Sequence, residues 1–315
     1  MTTLETPAPS LEAIRLRYQN VVETLITKLK QDPYVLAVVL YGSVAYDVVW
    51  EKSDIDLCII TQETRIKTSE MVMVEDSINI HASVITRSEF KKELEGSVQG
   101  SFLHSMYMRG QLLFTRDEAL EELWANRRHF GERDREISLL LAAITPIACL
   151  PKAKKWLFAR NNPHYSFVWI LSGLNGLAKI ETILAGELPG REVLAQALRH
   201  NAPFFQSLYI DLVDSPKTPE RISTALTQYE NYLRDRATTV FRPLFNYLAE
   251  AEGPRSAREI NSDFKKQMGI EGAFFLCEWL ADEGFIQKIA LPARLTEKSK
   301  VDVEEAAFYY DGSPL

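Results

Sequence analysis

The stretch VVLYGSVAYDVVWEKSDIDLCIIT, Val38 to Thr61, constrains the fold more than any other part of the chain. It reads as an apolar strand, a Gly-Ser turn, a short helical stretch and a second apolar strand that carries Asp54-Ile55-Asp56. Strand residues alternate faces, so Asp54 and Asp56 share one side of a sheet. Two neighbouring carboxylates repel, and such a pair is commonly stabilised by an oxygen-seeking cation such as Mg²⁺. Gly42 allows a backbone turn to approach a ligand closely, and Ser43 adds a hydroxyl and an N–H at the start of the following helix.

Gly42-Ser43 followed by Asp54-x-Asp56 on an apolar strand resembles the nucleotidyltransferase superfamily, the DNA polymerase β-like fold. Within it the chain looks most like bacterial small-molecule nucleotidyltransferases of the kanamycin or lincosamide type. The resemblance is specific over about residues 35 to 90, and the phrase RGQLLFTRDE, Arg109 to Glu118, extends it because similar phrases close many such domains. It implies Asp54 and Asp56 as metal ligands, Gly42 and Ser43 as nucleotide-binding residues, Mg²⁺ as cofactor and an NTP as substrate.

Family members place a third carboxylate on a later strand. The corresponding strand here is Ile78 to Ile85, whose alternation puts Asn79, His81 and Ser83 on one face and Ile78, Ile80, Ala82 and Val84 on the other. By resemblance, His81 falls at the third acid. An imidazole there serves as a neutral general base, or marks a protein that binds nucleotide and transfers nothing. Glu75 and Asp76 precede this strand and are the other sources of charge, although Asp76-Ser77 reads as a turn.

Length favours two or three domains. The expected fold class is α+β: a mixed-sheet nucleotidyltransferase domain, an all-helical domain and a small winged-helix-like domain. Residues 1–10 read as a disordered tail, 11–118 as the nucleotidyltransferase-like domain, 119–252 as the helical domain and 253–315 as the winged-helix-like domain. Leu11 to Lys30 has the apolar spacing of an amphipathic helix. Helical periodicity runs from Leu120 to Glu252, with breaks expected at Pro146, Asn161-Asn162-Pro163, Leu188-Pro189-Gly190 and Ser215-Pro216.

In the helical region, Lys152 and Lys155 of PKAKKWLFAR share a face at helical spacing, and related enzymes often touch the triphosphate with such a lysine. The same lysines also read as a solvated basic face. Ser172, Gly173, Asn175 and Gly176 form a small polar notch in an apolar helix, a pattern that favours close helix packing. Arg191 either clamps an anion or pairs with Glu187.

The last segment opens with the capping box Ser256-Ala257-Arg258-Glu259, continues through an apolar helix over Gly272 to Glu283, and ends in two strands, Phe285–Leu291 and Val301–Tyr310. Helix, helix, hairpin resembles a winged helix. From Glu250 onward, however, eight basic residues face thirteen acidic ones. The second helix carries Glu271, Glu278, Asp282 and Glu283 and no base, a sign that the major groove repels. A packing or protein-interaction module follows, with a protein partner or homodimer in place of duplex DNA.

The formal net charge is −7 and the pI about 5.5, against a broadly nucleic-acid-binding protein. Cys58, Cys149 and Cys277 each sit in an apolar run and read as buried free thiols. The first residues lack the apolar core of a signal peptide, and Ile137 to Leu150, interrupted by Pro146, is too short to span a bilayer. A cytoplasmic protein without membrane attachment is expected. The leading function is Mg²⁺-dependent transfer of a nucleoside monophosphate to an acceptor hydroxyl. The alternative is a catalytically silent nucleotide-binding or regulatory scaffold.

Overall fold

A computed structural model describes residues 10–46, 48–96, 107–126 and 132–312. The chain forms two compact units, Met1–Phe130 and Gly131–Leu315.

The first unit opens with helix α1, Leu11–Leu29. The Ser10 side chain accepts from the Ala13 N–H and caps it. Strand β1 (Val35–Tyr41), the four-residue helix α2 (Gly42–Ala45) and strand β2 (Ile55–Thr61) follow as expected. Strand β3 (Glu70–Glu75) then makes a two-residue hairpin with β4 (Ile78–Thr86). Its corner residues Asp76 and Ser77 have φ of 48° and 60°, the left-handed pair that such a turn requires. Helix α3 (Arg87–Gly96), strand β5 (Gln111–Thr115) and helix α4 (Glu118–Asn126) complete the unit. Tyr107–Arg109 are helical.

The sheet order is β3-β4-β2-β1-β5, with β2 and β4 parallel and the other pairs antiparallel. The buried side of α1, including Tyr18, Val21, Leu25 and Ile26, packs on Val38, Leu40, Ile55, Leu57 and Ile80. Alternation sends Asp56, Cys58, His81 and Ser83 to the other face. There Phe90, Tyr107 and Trp124 form an aromatic cluster, with ring centroids 5.4 to 6.5 Å apart.

The second unit is built on α5 (Glu132–Lys154), a π turn (Lys155–Ala159) and α6 (Pro163–Leu184). Helix α5 runs through Pro146 and Pro151, so the break expected at Pro146 does not occur. The polar notch of α6 explains why. A Cβ on Gly176 would lie 2.4 Å from Pro146 and 2.7 Å from the Ala142 carbonyl oxygen. That carbonyl is the one that a proline four residues later leaves without its helical donor. A Cβ on Gly173 would lie 1.9 Å from the Tyr229 hydroxyl, which donates to the Pro146 carbonyl. Both glycines are packing devices. The spans Asp134–Ala159 and Pro163–Leu184 are long and apolar enough to cross a membrane, and about half of each is buried in the unit.

Helices α7 (Val193–His200), α8 (Pro219–Asp235) and α9 (Arg242–Ala249) surround this pair. Beyond residue 253, the Ser256/Glu259 capping box is formed in both directions and opens α10 (Ala257–Met268), which ends at left-handed Gly269. Helix α11 (Ala273–Asp282) leads into a hairpin of β7 (Gln287–Ala293) and β8 (Val303–Tyr309), with the short strand β6 (Arg255–Ser256) on the other side of β8. Ile260, Phe264, Leu276, Leu280 and Phe308 belong to the same buried cluster as Leu140, Leu174 and Leu177. The described residues from 253 to 312 therefore contribute to one core with the helices before them.

Candidate active site on the open face of the first sheet

The site is assembled by strand register. Asp56 of β2 lies beside His81 of β4 in the parallel pair and beside Tyr41 of β1 in the antiparallel one. His81 Nδ1 is 3.9 Å from Asp56 Oδ1, with 49% of the His81 side chain and 29% of the Asp56 side chain exposed, so a ligand can reach both.

Gly42 follows Tyr41 at φ 75°, a conformation that glycine adopts without strain. A Cβ there would sit 2.0 Å from Asp56 Oδ2. The Gly42 turn and the second oxygen of Asp56 thus close on each other. Asp54 enters just before β2. Its approach is fixed by Tyr18, whose hydroxyl donates to the Ser53 carbonyl at 2.5 Å. Burial pushes the Tyr18 phenol up, and the Asp54 charge adds to the rise. The loop from Ser43 to Asp54 is tied by Val48 N–H to the Ser43 carbonyl (3.0 Å) and by reciprocal bonds between Trp50 and Ser53.

The structure brings together Gly42, Asp56 and His81, with Ser43 and Asp54 adjoining them in sequence. Glu75 and Asp76 do not join them. Glu75 stands opposite Ile78, on the α1 face, and pairs with Lys28 at 2.5 Å, while Asp76 pairs with Arg17 at 3.0 Å. Lys152 and Lys155 belong to the second unit, where the Lys152 ammonium lies 4.5 Å from the centroid of the Trp169 ring. Glu187 pairs with Arg199 and His200, in place of Arg191.

Two residues of the site face escaped the sequence pattern. Tyr41 is one: burial raises its phenol, the Ser83 hydroxyl counters this, and the charges of Asp56 and Glu70 add to the rise. Glu70 is the other. It sits opposite Ser83, on the face of His81. Beneath them Cys58 is fully buried, its thiol pushed up to about 12 by burial and touched by Ser83 and Tyr107. All three cysteines are free and buried.

Among the described residues, no group of three or more His, Cys, Asp or Glu side chains converges to hold a metal unaided. Mg²⁺ does not require one, because it is commonly held by one or two carboxylates together with substrate phosphates. The Asp56 carboxylate closed on a side-chain-free turn, with Asp54 two residues ahead of it in the chain, fits that arrangement.

Comparison with known proteins agrees with this geometry. Residues 23–119 match the family model described as Polymerase beta, Nucleotidyltransferase. No curated protein matches the chain. A solved structure described as a nucleotidyltransferase-like protein from Exiguobacterium sibiricum 255-15 shares the fold, with a TM-score of 0.60 at 19% identity, over 93% of this chain and 99% of that one. The first unit therefore carries a domain of the nucleotidyltransferase superfamily, and the chain as a whole is α+β.

Proposed function

We propose that the chain is a Mg²⁺-dependent nucleotidyltransferase that moves a nucleoside monophosphate from an NTP to an acceptor hydroxyl and releases pyrophosphate. The observation that carries this reading is the closure of Asp56 on the Gly42 turn with His81 directly across the strand pair. Asp54 and Asp56 would hold the metal, and Gly42 and Ser43 would cradle the phosphates. Bound Mg²⁺ would neutralise charge on the transferred phosphoryl group and make the acceptor hydroxyl more acidic.

Asp56 Oδ1 faces His81 Nδ1, which leaves Nε2 as the outward atom of the ring. In the transfer, the acceptor oxygen bonds to the α-phosphorus, its proton passes to His81 Nε2, and the bond to the departing pyrophosphate breaks. Tyr18 and the Ser53 carbonyl hold the strand entry that aims Asp54. This proposal requires neither Lys152 nor Lys155.

Calorimetry of Mg·ATP binding tests the assignment. Asp56→Asn is expected to abolish Mg²⁺-dependent binding while leaving the melting temperature unchanged or raised, since a repelling charge is removed. Equal affinity in variant and wild type would sink it. The second reading, a silent nucleotide-binding scaffold, rests on the imidazole at position 81, where a carboxylate would complete a trio of acids. It predicts Mg·NTP binding without pyrophosphate release for any acceptor.

A further inference from the structure

A different surface carries a second inference, independent of the transfer chemistry. Between Ile137 and Ile180 the chain has no Asp or Glu and five Lys or Arg: Lys152, Lys154, Lys155, Arg160 and Lys179. In a chain of net charge −7 this is a marked local reversal. Among the described residues, Lys154 pairs with Glu230 and the other four make no ion pair. Three of those four, Lys152, Lys155 and Arg160, fall within nine residues at the π turn joining α5 to α6.

Aromatic rings are interleaved with these charges. Lys152 lies 4.5 Å from the Trp169 ring centroid. One turn further along both helices, the Trp156 and Tyr165 rings meet at 4.2 Å. Lys152 and Trp156 are four apart on one side of the helix pair, and Tyr165 and Trp169 four apart on the other, so the rungs repeat at about 6 Å. Lys155 and Arg160 are exposed beside the second rung, and Tyr165 is 45% exposed.

We propose that this basic, aromatic ladder binds single-stranded nucleic acid, with Lys155 and Arg160 on the phosphates and the Tyr165 ring stacked on a base. Backbone cations with aromatic platforms are the combination that unpaired strands require, since every unstacked base offers a π face. A duplex hides those faces. The global negative charge stands against a broadly basic protein, and this patch is confined to one turn.

The test uses the full-length protein and fluorescence anisotropy of labelled oligo(dT) and oligo(U) of about 12 nucleotides. Controls are a blunt duplex of the same length and vesicles of phosphatidylserine and phosphatidylcholine. Binding of the single strands is expected on the order of 1–100 µM at about 0.1 M salt, with log affinity falling by about 0.7 per phosphate contact for each decade of salt. The Lys155→Glu/Arg160→Glu variant should bind at least about tenfold more weakly with a shallower salt slope. Tyr165→Ala, and Tyr165→Leu if the first variant melts early, should lose about fivefold or more. The oligo(dT) and oligo(U) arms distinguish DNA from RNA. The proposal is overturned if neither strand binds, if the duplex binds as well, if charge reversal changes nothing, or if the vesicles bind while the strands do not.

Discussion

Gly42→Ala tests the geometry at the centre of the candidate active site. Two costs can be separated. At φ 75° an alanine occupies the left-handed region, at about 1–2 kcal/mol. Its Cβ would also stand 2.0 Å from Asp56 Oδ2 and 3.0 Å from Asp56 Cγ, inside van der Waals contact, so the carboxylate must swing away or the turn must move. Overpacking of that kind costs about 1–3 kcal/mol more. The expected destabilisation is therefore about 2–5 kcal/mol in urea unfolding. Mg·ATP affinity should fall at least about tenfold, because a displaced Asp56 no longer faces the turn. The informative measurement is a double-mutant cycle with Asp56→Ala. That background removes Oδ2 and Cγ, the two nearest atoms, and leaves the backbone strain and a Cβ contact of 3.2 Å, so Gly42→Ala should then cost little more than the first term. If the cost is the same in both backgrounds, or under about 0.5 kcal/mol alone, the close approach of Gly42 and Asp56 is not what the site depends on.

Further outcomes are expected. His81→Ala should lose about 10²–10⁴-fold in pyrophosphate release while Mg·NTP binding persists, and His81→Asp should retain or raise activity; equal turnover in wild type and His81→Ala would make His81 a bystander, and turnover only in His81→Asp would favour the silent scaffold. Asp117 accepts from Arg87 and from the N–H groups of Ala119 and Leu120 at the start of α4. The Arg87 hydrogen bond is the main cause that holds its carboxyl below the usual range. A lowered native value means stability that is present above the unfolded value of about 3.9 and lost as pH falls through the native one. The stability difference between wild type and Asp117→Asn should thus be full at neutral pH and shrink below about pH 4; a difference that grows with acid would reverse the assignment.

Much of the local structure was legible in the chain. The Asp76-Ser77 turn, the Ser256/Glu259 capping box and the helix over Leu11–Leu29 each depend on neighbours within a few residues. Such preferences are encoded locally and can be read locally. Strand β3 was missed because Met71, Val72, Met73 and Val74 put apolar side chains on both faces. No alternation of polarity marks an edge strand whose Val72 and Val74 stay about two-thirds exposed. With β3 went the signal for Glu70.

The sequence by itself determined that Asp56 lies on an apolar strand behind a Gly-Ser turn, with Asp54 just ahead of it, and that Asn79, His81 and Ser83 share a face of another strand. Only the tertiary structure decided that Asp56 and His81 lie on the same face, because the partner of Asp56 is set by the parallel register of β2 and β4 and by the apolar residues that α1 draws to the opposite side. Pro146 shows the same division. Its local preference is to end a helix. Helix α5 continues because Gly176 admits the ring and Tyr229 donates to the proline carbonyl, and both contacts come from segments remote in sequence. Hydrogen-bond register and close packing join distant residues, so they are settled by the folded core and not by any window of the chain.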